Sequence, residues 1–188
     1  MDFHYFLALP VPAEAGETIA QWKQKAKSSL SFKKWVHKND YHITLFFLGA
    51  ASQEAVDGVS HAIRRQSREF PRFSLKAGKT GFFGRPEAPK ILWAGVEGPQ
   101  VLQQLQSRVS ETCGSFGFSK ETRPYHPHIT IARKWQGNDS FPSRIETVPP
   151  LKSMKWTVEE VVLYRTHWHT EPKYEAVEKF PLADDIGK

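Results

Sequence analysis

The chain has 188 residues, of which 39% are hydrophobic, and its Lys and Arg residues give it a formal net charge of +6. This length and apolar content suit one folded domain or two small lobes that share a core, and we predict a single domain over residues 1–188. The positive charge is compatible with a polyanionic partner without requiring one, and the single cysteine, Cys113, excludes a disulfide framework and a cysteine-rich zinc site.

The N-terminal segment from Phe3 to Leu9 is apolar and predicts a buried strand that ends at Pro10. The segment is short and lacks the basic residues that open a signal peptide. No stretch of the chain approaches the roughly 20 apolar residues that a membrane span needs. We therefore expect a soluble, cytoplasmic protein that does not bind membranes.

Hydrophobic periodicity predicts three helices with one apolar stripe each, over residues 13–30, 52–69 and 99–116. Short β-branched and aromatic segments predict strands, and the last two of these are expected to pair antiparallel. The intervening segments 80–86 and 136–150 are predicted to be a turn and an exposed polar loop, and residues 183–188 a frayed end. The predicted strands are 3–9, 32–36, 42–49, 73–79, 90–96, 128–131, 156–165 and 174–182.

Two of these strands carry the same pattern, His42-Ile43-Thr44-Leu45 and His128-Ile129-Thr130-Ile131, at an offset of 128 − 42 = 86 residues. Alternate side chains of a strand face the same side, so the histidine and the threonine of each copy share one face while the apolar residues fill a core. A helix precedes each copy, and Phe32 and Lys34 match Phe118 and Lys120 at the same offset. The chain therefore consists of two repeated halves, which predicts two lobes related by a pseudo-twofold axis.

Two imidazoles with two hydroxyl neighbours suit displacement at a phosphodiester. Because a histidine titrates near pH 6.5, one ring can take a proton from an attacking water while the other protonates the departing alkoxide. Thr44 and Thr130 can donate hydrogen bonds to the non-bridging oxygens, whose charge must be stabilised in the transition state. The alternative is that the two motifs are structurally equivalent core positions left by a duplication, but the recurrence of both residues on predicted strands favours catalysis.

No carboxylate cluster accompanies the two histidines, so no metal or other cofactor is predicted. His167 and His169 lie on one face and form a candidate metal pair, but a third ligand is lacking, and we interpret them as partly exposed residues at a strand end.

These motifs resemble the 2H phosphoesterase superfamily, and specifically the bacterial and archaeal RNA 2′,3′-cyclic phosphodiesterases once called 2′-5′ RNA ligases. The resemblance implies an α+β fold with two pseudo-symmetric lobes of antiparallel sheet and outer helices around a central groove. It also implies the opening of a terminal 2′,3′-cyclic phosphate to a 2′-phosphomonoester without metal or ATP. The matching segments are His42–Gly49, Tyr125–Arg133, Phe6–Pro10 and Val162–Arg165.

The resemblance makes His42 the general acid toward the leaving 3′ oxygen and His128 the base that activates water. The residues alone leave this assignment open, because the two motifs are nearly equivalent. Arg133 lies five residues past His128 and has the wrong parity for the same face, so it reaches the groove as a phosphate contact only if the strand ends or bulges near Ala132.

Tyr125 and Phe46 are candidates for stacking on a terminal base, although aromatic residues beside a strand more often belong to the core. The expected partners are RNA ends or small cyclic nucleotides, with no obligate protein partner and a monomeric protein. Two other functions stay open: an RNA-end-binding module without turnover, and reversible 2′-5′ RNA ligation.

Overall fold

The computed structural model describes residues 3–184, and this part of the chain forms nine strands and four α-helices. Single turns of 3₁₀-helix occur at Lys38–Asp40 and Ser67–Glu69. The helices are α1 Ala13–Ala26, α2 Gln53–Gln66, α3 Gln100–Ser115 and α4 Phe141–Ile145. The strands are β1 Phe3–Pro10, β2 Phe32–Trp35, β3 His42–Ala51, β4 Phe73–Arg85, β5 Ala88–Glu97, β6 His128–Trp135, β7 Met154–Val158, β8 Glu160–Thr166 and β9 Tyr174–Pro181.

The strands form one antiparallel sheet in the order β7-β4-β5-β6-β3-β1-β8-β9, with β2 paired to β6 outside this path. The order is symmetric about its centre, because β6, β5, β4 and β7 on one side correspond to β3, β1, β8 and β9 on the other. The two halves meet where β3 pairs with β6 through a single residue pair, Ile43 and Ile129. This arrangement confirms the predicted α+β fold with two pseudo-symmetric lobes.

The three long helices cover one face of the sheet, where one apolar cluster contains Ile43 and Ile129 at the centre of the sheet. Each helix buries one stripe in it: Ile19 and Trp22 come from α1, and Leu105 comes from α3. Successive side chains of a strand point to opposite faces, so the motif histidines and threonines, which flank these isoleucines, lie on the uncovered face. No helix between residues 3 and 184 is long and apolar enough to cross a membrane.

The prediction of a turn over residues 80–86 is wrong for most of that segment, because β4 extends from Phe73 to Arg85. Gly81 is needed for a close approach, because a Cβ atom there would overlap the indole ring of Trp93 on the neighbouring strand. The predicted strand 156–165 is two strands: β7 is the edge strand of one half of the sheet, and β8 lies in the other half between β1 and β9.

The segment 136–150 is not a purely exposed loop, because it contains α4, and Phe141 at the start of that helix is buried against Phe32 and Phe82. The match of Phe118 and Lys120 to Phe32 and Lys34 does not extend to secondary structure, since only the earlier pair lies in a strand. Of the end predicted to be frayed, residues 185–188 lie outside the described residues.

Candidate active site

The pairing of β3 with β6 gathers the four motif residues on one face of the sheet. Extending the register from Ile43 opposite Ile129 by one residue places His42 opposite Thr130, and Thr44 opposite His128. The two histidines are then diagonal neighbours, and diagonal positions in an antiparallel pair lie about 7–8 Å apart. That gap suits a phosphate group with one imidazole on each side.

Both imidazoles are oriented by the same main-chain contact. Nδ1 of His42 lies 2.7 Å from the carbonyl oxygen of Asp40, and Nδ1 of His128 lies 2.7 Å from that of His126. A carbonyl oxygen can only accept, so Nδ1 carries the proton and donates it in each ring. Nε2 is thereby left on both rings as the nitrogen that can exchange a proton with a ligand.

Arg133 is brought to the motif face by the β-bulge on which its prediction depended. Leu92 and Trp93 of β5 pair with Ala132 and Thr130, so Ile131 is an extra residue in β6. Ile131 and Ala132 are both fully buried, which reverses the alternation beyond them and turns Arg133 toward the face of Thr130. The Arg133 charge contributes to lowering the pKa of both His42 and His128, as expected of a cation between the two lobes.

His42 lies among aromatic rings. Phe6 packs against it at a centroid distance of 4.7 Å, Tyr174 meets it edge-on at 5.1 Å, and Tyr164 stacks behind Phe6. Burial among these rings lowers the pKa of His42 to about 4, outweighing the hydrogen bond to Asp40, and the charges of Arg133 and His128 add to the decrease. In the free protein this imidazole is therefore neutral at pH 7.

His128 lies in a second aromatic group, formed by Phe83 at 4.9 Å, Trp93 at 6.4 Å and His126 at 6.1 Å between ring centroids. Its pKa is also lowered, first by burial and then by the charges of His126 and Arg133. Two of these neighbours, Trp93 and His126, line a cavity of about 700 Å³.

The structure corrects the prediction that Phe46 stacks on a base, because its side chain is 6% exposed within the hydrophobic core. Leu45 is an extra residue between the pairs Ala8–Thr44 and Leu7–Phe46, so a bulge again reverses the alternation. The next residue, Phe47, is 64% exposed and contacts Phe6, which packs on His42. Phe47 is thus the aromatic residue that this strand presents beside the motif.

Tyr125 is a candidate whose observed contact is to the protein itself. Its hydroxyl donates a hydrogen bond to the carbonyl oxygen of Thr44 at 3.0 Å, and its ring packs against the core. The contact joins the segment before β6 to β3 across the centre of the sheet.

Sequence reasoning missed Asp40, a buried carboxylate near the site. It accepts hydrogen bonds from the main-chain N–H groups of Lys173 and Tyr174, at 2.9–3.1 Å, and so fixes the start of β9, from which Tyr174 reaches His42. The available signal was its position two residues before His42, on the same side of the chain.

The chain is similar to known proteins. A sequence model described as the 2′-5′ RNA ligase superfamily matches residues 10–170, which includes both motifs. The chain belongs to this superfamily. The resemblance to 2H phosphoesterases that the motifs indicate is thereby confirmed.

Two bacterial members of the superfamily are similar over nearly the whole chain, and both are named RNA 2′,3′-cyclic phosphodiesterase. The one from Bacillus subtilis is 37% identical over 182 residues, which are 96% of this chain and 97% of that relative. The one from Geobacillus stearothermophilus is 43% identical over 179 residues, 95% of this chain but only 57% of the relative. The chain thus spans little more than half the length of the latter.

A solved structure of the superfamily, Escherichia coli LigT complexed with 3′-AMP, superposes with a TM-score of 0.81 at 26% identity. The match covers 97% of this chain and 99% of that one, so it includes both halves of the fold. That neighbour binds a nucleotide that carries a phosphate on its ribose.

In the second pair of histidines, His167 contacts a carboxylate that is shared with an arginine. Nε2 of His167 lies 2.6 Å from the Glu175 carboxylate, which also accepts from Arg165 at 2.7 Å. Across residues 3–184 no three His, Cys, Asp or Glu side chains are close enough to hold a metal ion.

Proposed function

We propose that the protein opens the terminal 2′,3′-cyclic phosphate of RNA to a 2′-phosphomonoester without a metal ion. The observation that carries the proposal is the diagonal pair of imidazoles, each with Nδ1 bound to a carbonyl and Nε2 free. The names of the relatives at 43% and 37% identity support the same reaction.

In the proposed complex the cyclic phosphate lies between the two rings. The hydroxyls of Thr44 and Thr130 donate to its non-bridging oxygens, and Arg133 supplies the positive charge that balances the phosphate. Because the bulge at Ile131 turns Arg133 onto this face, the strand itself supplies the cation.

Two proton transfers complete the reaction. His128 accepts a proton from water as its oxygen bonds to phosphorus, and His42 donates a proton to O3′ as the P–O3′ bond breaks. The phosphate stays on O2′. Afterwards His128 loses its proton to solvent and His42 regains one from solvent. Burial and, to a smaller degree, the Arg133 charge keep His42 neutral in the free protein, and the phosphodiester anion raises its pKa so that it carries a proton in the complex.

The surroundings of the rings support this assignment of roles. His42 is enclosed by Phe6, Tyr164 and Tyr174, which keep water away from the leaving oxygen. His128 is less enclosed, since its neighbours Trp93 and His126 line an open cavity. The more open imidazole is accordingly the base.

An oligonucleotide that ends in a 2′,3′-cyclic phosphate tests the proposal, with excess chelator present and the product isomer identified. We expect full activity, a 2′-phosphate product, and a loss of about 10²–10⁴-fold or more in His42→Ala and in His128→Ala. His61→Ala, on the exposed side of α2, is the matched control.

Activity that needs an added divalent ion would contradict the metal-independent mechanism. Binding of the oligonucleotide without any product after prolonged incubation would indicate an RNA-end-binding module instead. Ligation uses the same transfers in reverse, with a 5′-hydroxyl in place of water, and would appear as a longer 2′-5′-linked product.

A further inference from the structure

Two glycines lie beside His128 on the neighbouring strands β5 and β4. Gly95 of β5 pairs with His128, and Gly78 of β4 pairs with Gly95, so the three residues form one row on the same face of the sheet. The nearest atoms to a Cβ at Gly78 would be those of Ser153, at 3.4 Å or more. The Trp93 ring lies close to Gly95, where a Cβ would come within 3.2 Å of Cζ3, and both glycines line the cavity of about 700 Å³.

The cavity carries an excess of positive charge. Lys76 and Lys79 contribute to its lining, and Glu97 is the one carboxylate among its lining residues. Lys79 is the extra residue of a bulge in β4 and has a φ of 43°, a conformation that is uncommon for residues other than glycine. Within residues 3–184 neither lysine takes part in an ion pair, so both amines are available to an anion.

The side of the cavity nearest the site is aromatic. Trp93 and His126 lie 4.8 Å apart between ring centroids, and both line the cavity. The Trp93 ring is held in place because it covers Gly81, and its indole N–H is buried without a hydrogen-bond partner. A fixed aromatic face next to two amines matches the two parts of a nucleotide, a base and a phosphate.

We propose that this cavity is a second nucleotide subsite, which binds the nucleotide preceding the cyclic phosphate in an RNA chain. The proposal rests on the proposed function and assigns the place where the RNA chain continues beyond its terminal nucleotide. Lys76 and Lys79 bind the phosphodiester that joins the two nucleotides, and Trp93 with His126 packs against the base. The cavity volume lies within the range of about 300–1,000 Å³ of ordinary ligand sites, enough for one nucleotide.

The test compares a dinucleotide that ends in a 2′,3′-cyclic phosphate with the corresponding 2′,3′-cyclic mononucleotide. We expect the protein to open the dinucleotide with a higher kcat/KM. In the double variant Lys76→Gln/Lys79→Gln this preference falls by about 10- to 100-fold, because one or two charge-assisted contacts to a phosphate are lost. The change appears mainly in KM for the dinucleotide, and the preference of the unaltered protein weakens as salt is added.

The control is the double variant Lys25→Gln/Lys33→Gln, which removes the same charge from exposed positions outside the cavity. It should keep the preference for the dinucleotide. An equal loss of the dinucleotide preference in both double variants would overturn the proposal, since it would show that the lysines act only through the overall electrostatic field of the protein. Equal rates on both substrates in the unaltered protein would overturn the subsite while leaving the proposed function intact. If neither substrate is opened, the proposed function fails and the subsite fails with it.

Discussion

Arg133 and Phe47 occupy equivalent positions in the two halves of the molecule, each five residues beyond its motif histidine and each just past a bulge, at Ile131 and at Leu45 respectively. One half therefore presents a guanidinium to the site, and the other presents an exposed phenyl ring. The two corresponding strands therefore differ in the side chain that they present at this position. The asymmetry suits a ligand with a charged end and an apolar end, such as a nucleotide.

Arg133→Gln should lower kcat/KM for a cyclic phosphate by about 10²–10³-fold, because it removes a charged donor aimed at the phosphate. The measurement is steady-state kinetics at fixed ionic strength. The neighbouring Lys134→Gln removes the same charge from an exposed side chain and should have little effect. A loss of less than threefold in Arg133→Gln, or an equal loss in both variants, would count against the phosphate contact.

Binding of a nucleotide 2′-phosphate should take up a proton near neutral pH. Burial and the Arg133 charge hold the pKa of His42 at about 4 and lower the pKa of His128, so both rings bind few protons in the free protein. An anion between them raises both values. Calorimetric titrations in buffers of different ionisation enthalpy report this uptake as a buffer-dependent binding enthalpy. A binding enthalpy that is the same in every buffer would refute the proton uptake.

Acid should destabilise the fold through His42. Its pKa is about 4 in the folded protein and near 6.5 in the unfolded chain, so between these values the unfolded chain binds more protons. The stabilisation is present above pH 6.5 and is lost as the pH falls toward 4, with an expected contribution of about 1–3 kcal/mol.

Urea unfolding at several pH values measures this loss for the unaltered protein and for His42→Gln, which cannot become charged. The variant should lose less stability between pH 6.5 and 4. His61→Gln, on the exposed side of α2, should follow the unaltered protein. Parallel curves for the unaltered protein and His42→Gln would show that the His42 pKa is not lowered by folding.

Tyr125→Phe should reduce stability more than activity. The hydroxyl donates to the Thr44 carbonyl, and its loss leaves that carbonyl without this donor at a cost of about 1 kcal/mol. We expect a lower urea midpoint and a kcat/KM within a few-fold of the unaltered protein. A loss of activity above about 100-fold with unchanged stability would instead support a direct contact of Tyr125 with substrate.

The sequence was sufficient to predict which side chains of the two central strands face the site, because a repeated pattern with period two fixes which side chains share a face. It was not sufficient for Phe46 and Phe47, since a bulge depends on how β3 pairs with β1 and leaves no signal in β3 alone. For Arg133 the sequence showed only that a strand end or a bulge near Ala132 was needed to bring it to the motif face. The bulge at Ile131 meets this condition.

The residues around the histidines were harder to predict, because they come from distant parts of the chain. Phe6, Tyr164 and Tyr174 meet at His42 only once β1, β8 and β9 are ordered in the sheet. Similarly, Gly81 belonged to a predicted turn, whereas the structure uses it inside β4 for a close approach to Trp93. Tertiary pairing, not local preference, decided these positions.

The acceptors of both Nδ1 protons are main-chain oxygens, and this has a practical consequence for mutagenesis. Exchanging the side chain of Asp40 or His126 leaves each oxygen in place, unlike a catalytic dyad in which a carboxylate orients the ring. An alanine scan would consequently identify the two rings and overlook what aligns them. Replacing the peptide unit itself, for instance by an ester at these two residues, is the substitution that would reveal their share in the reaction.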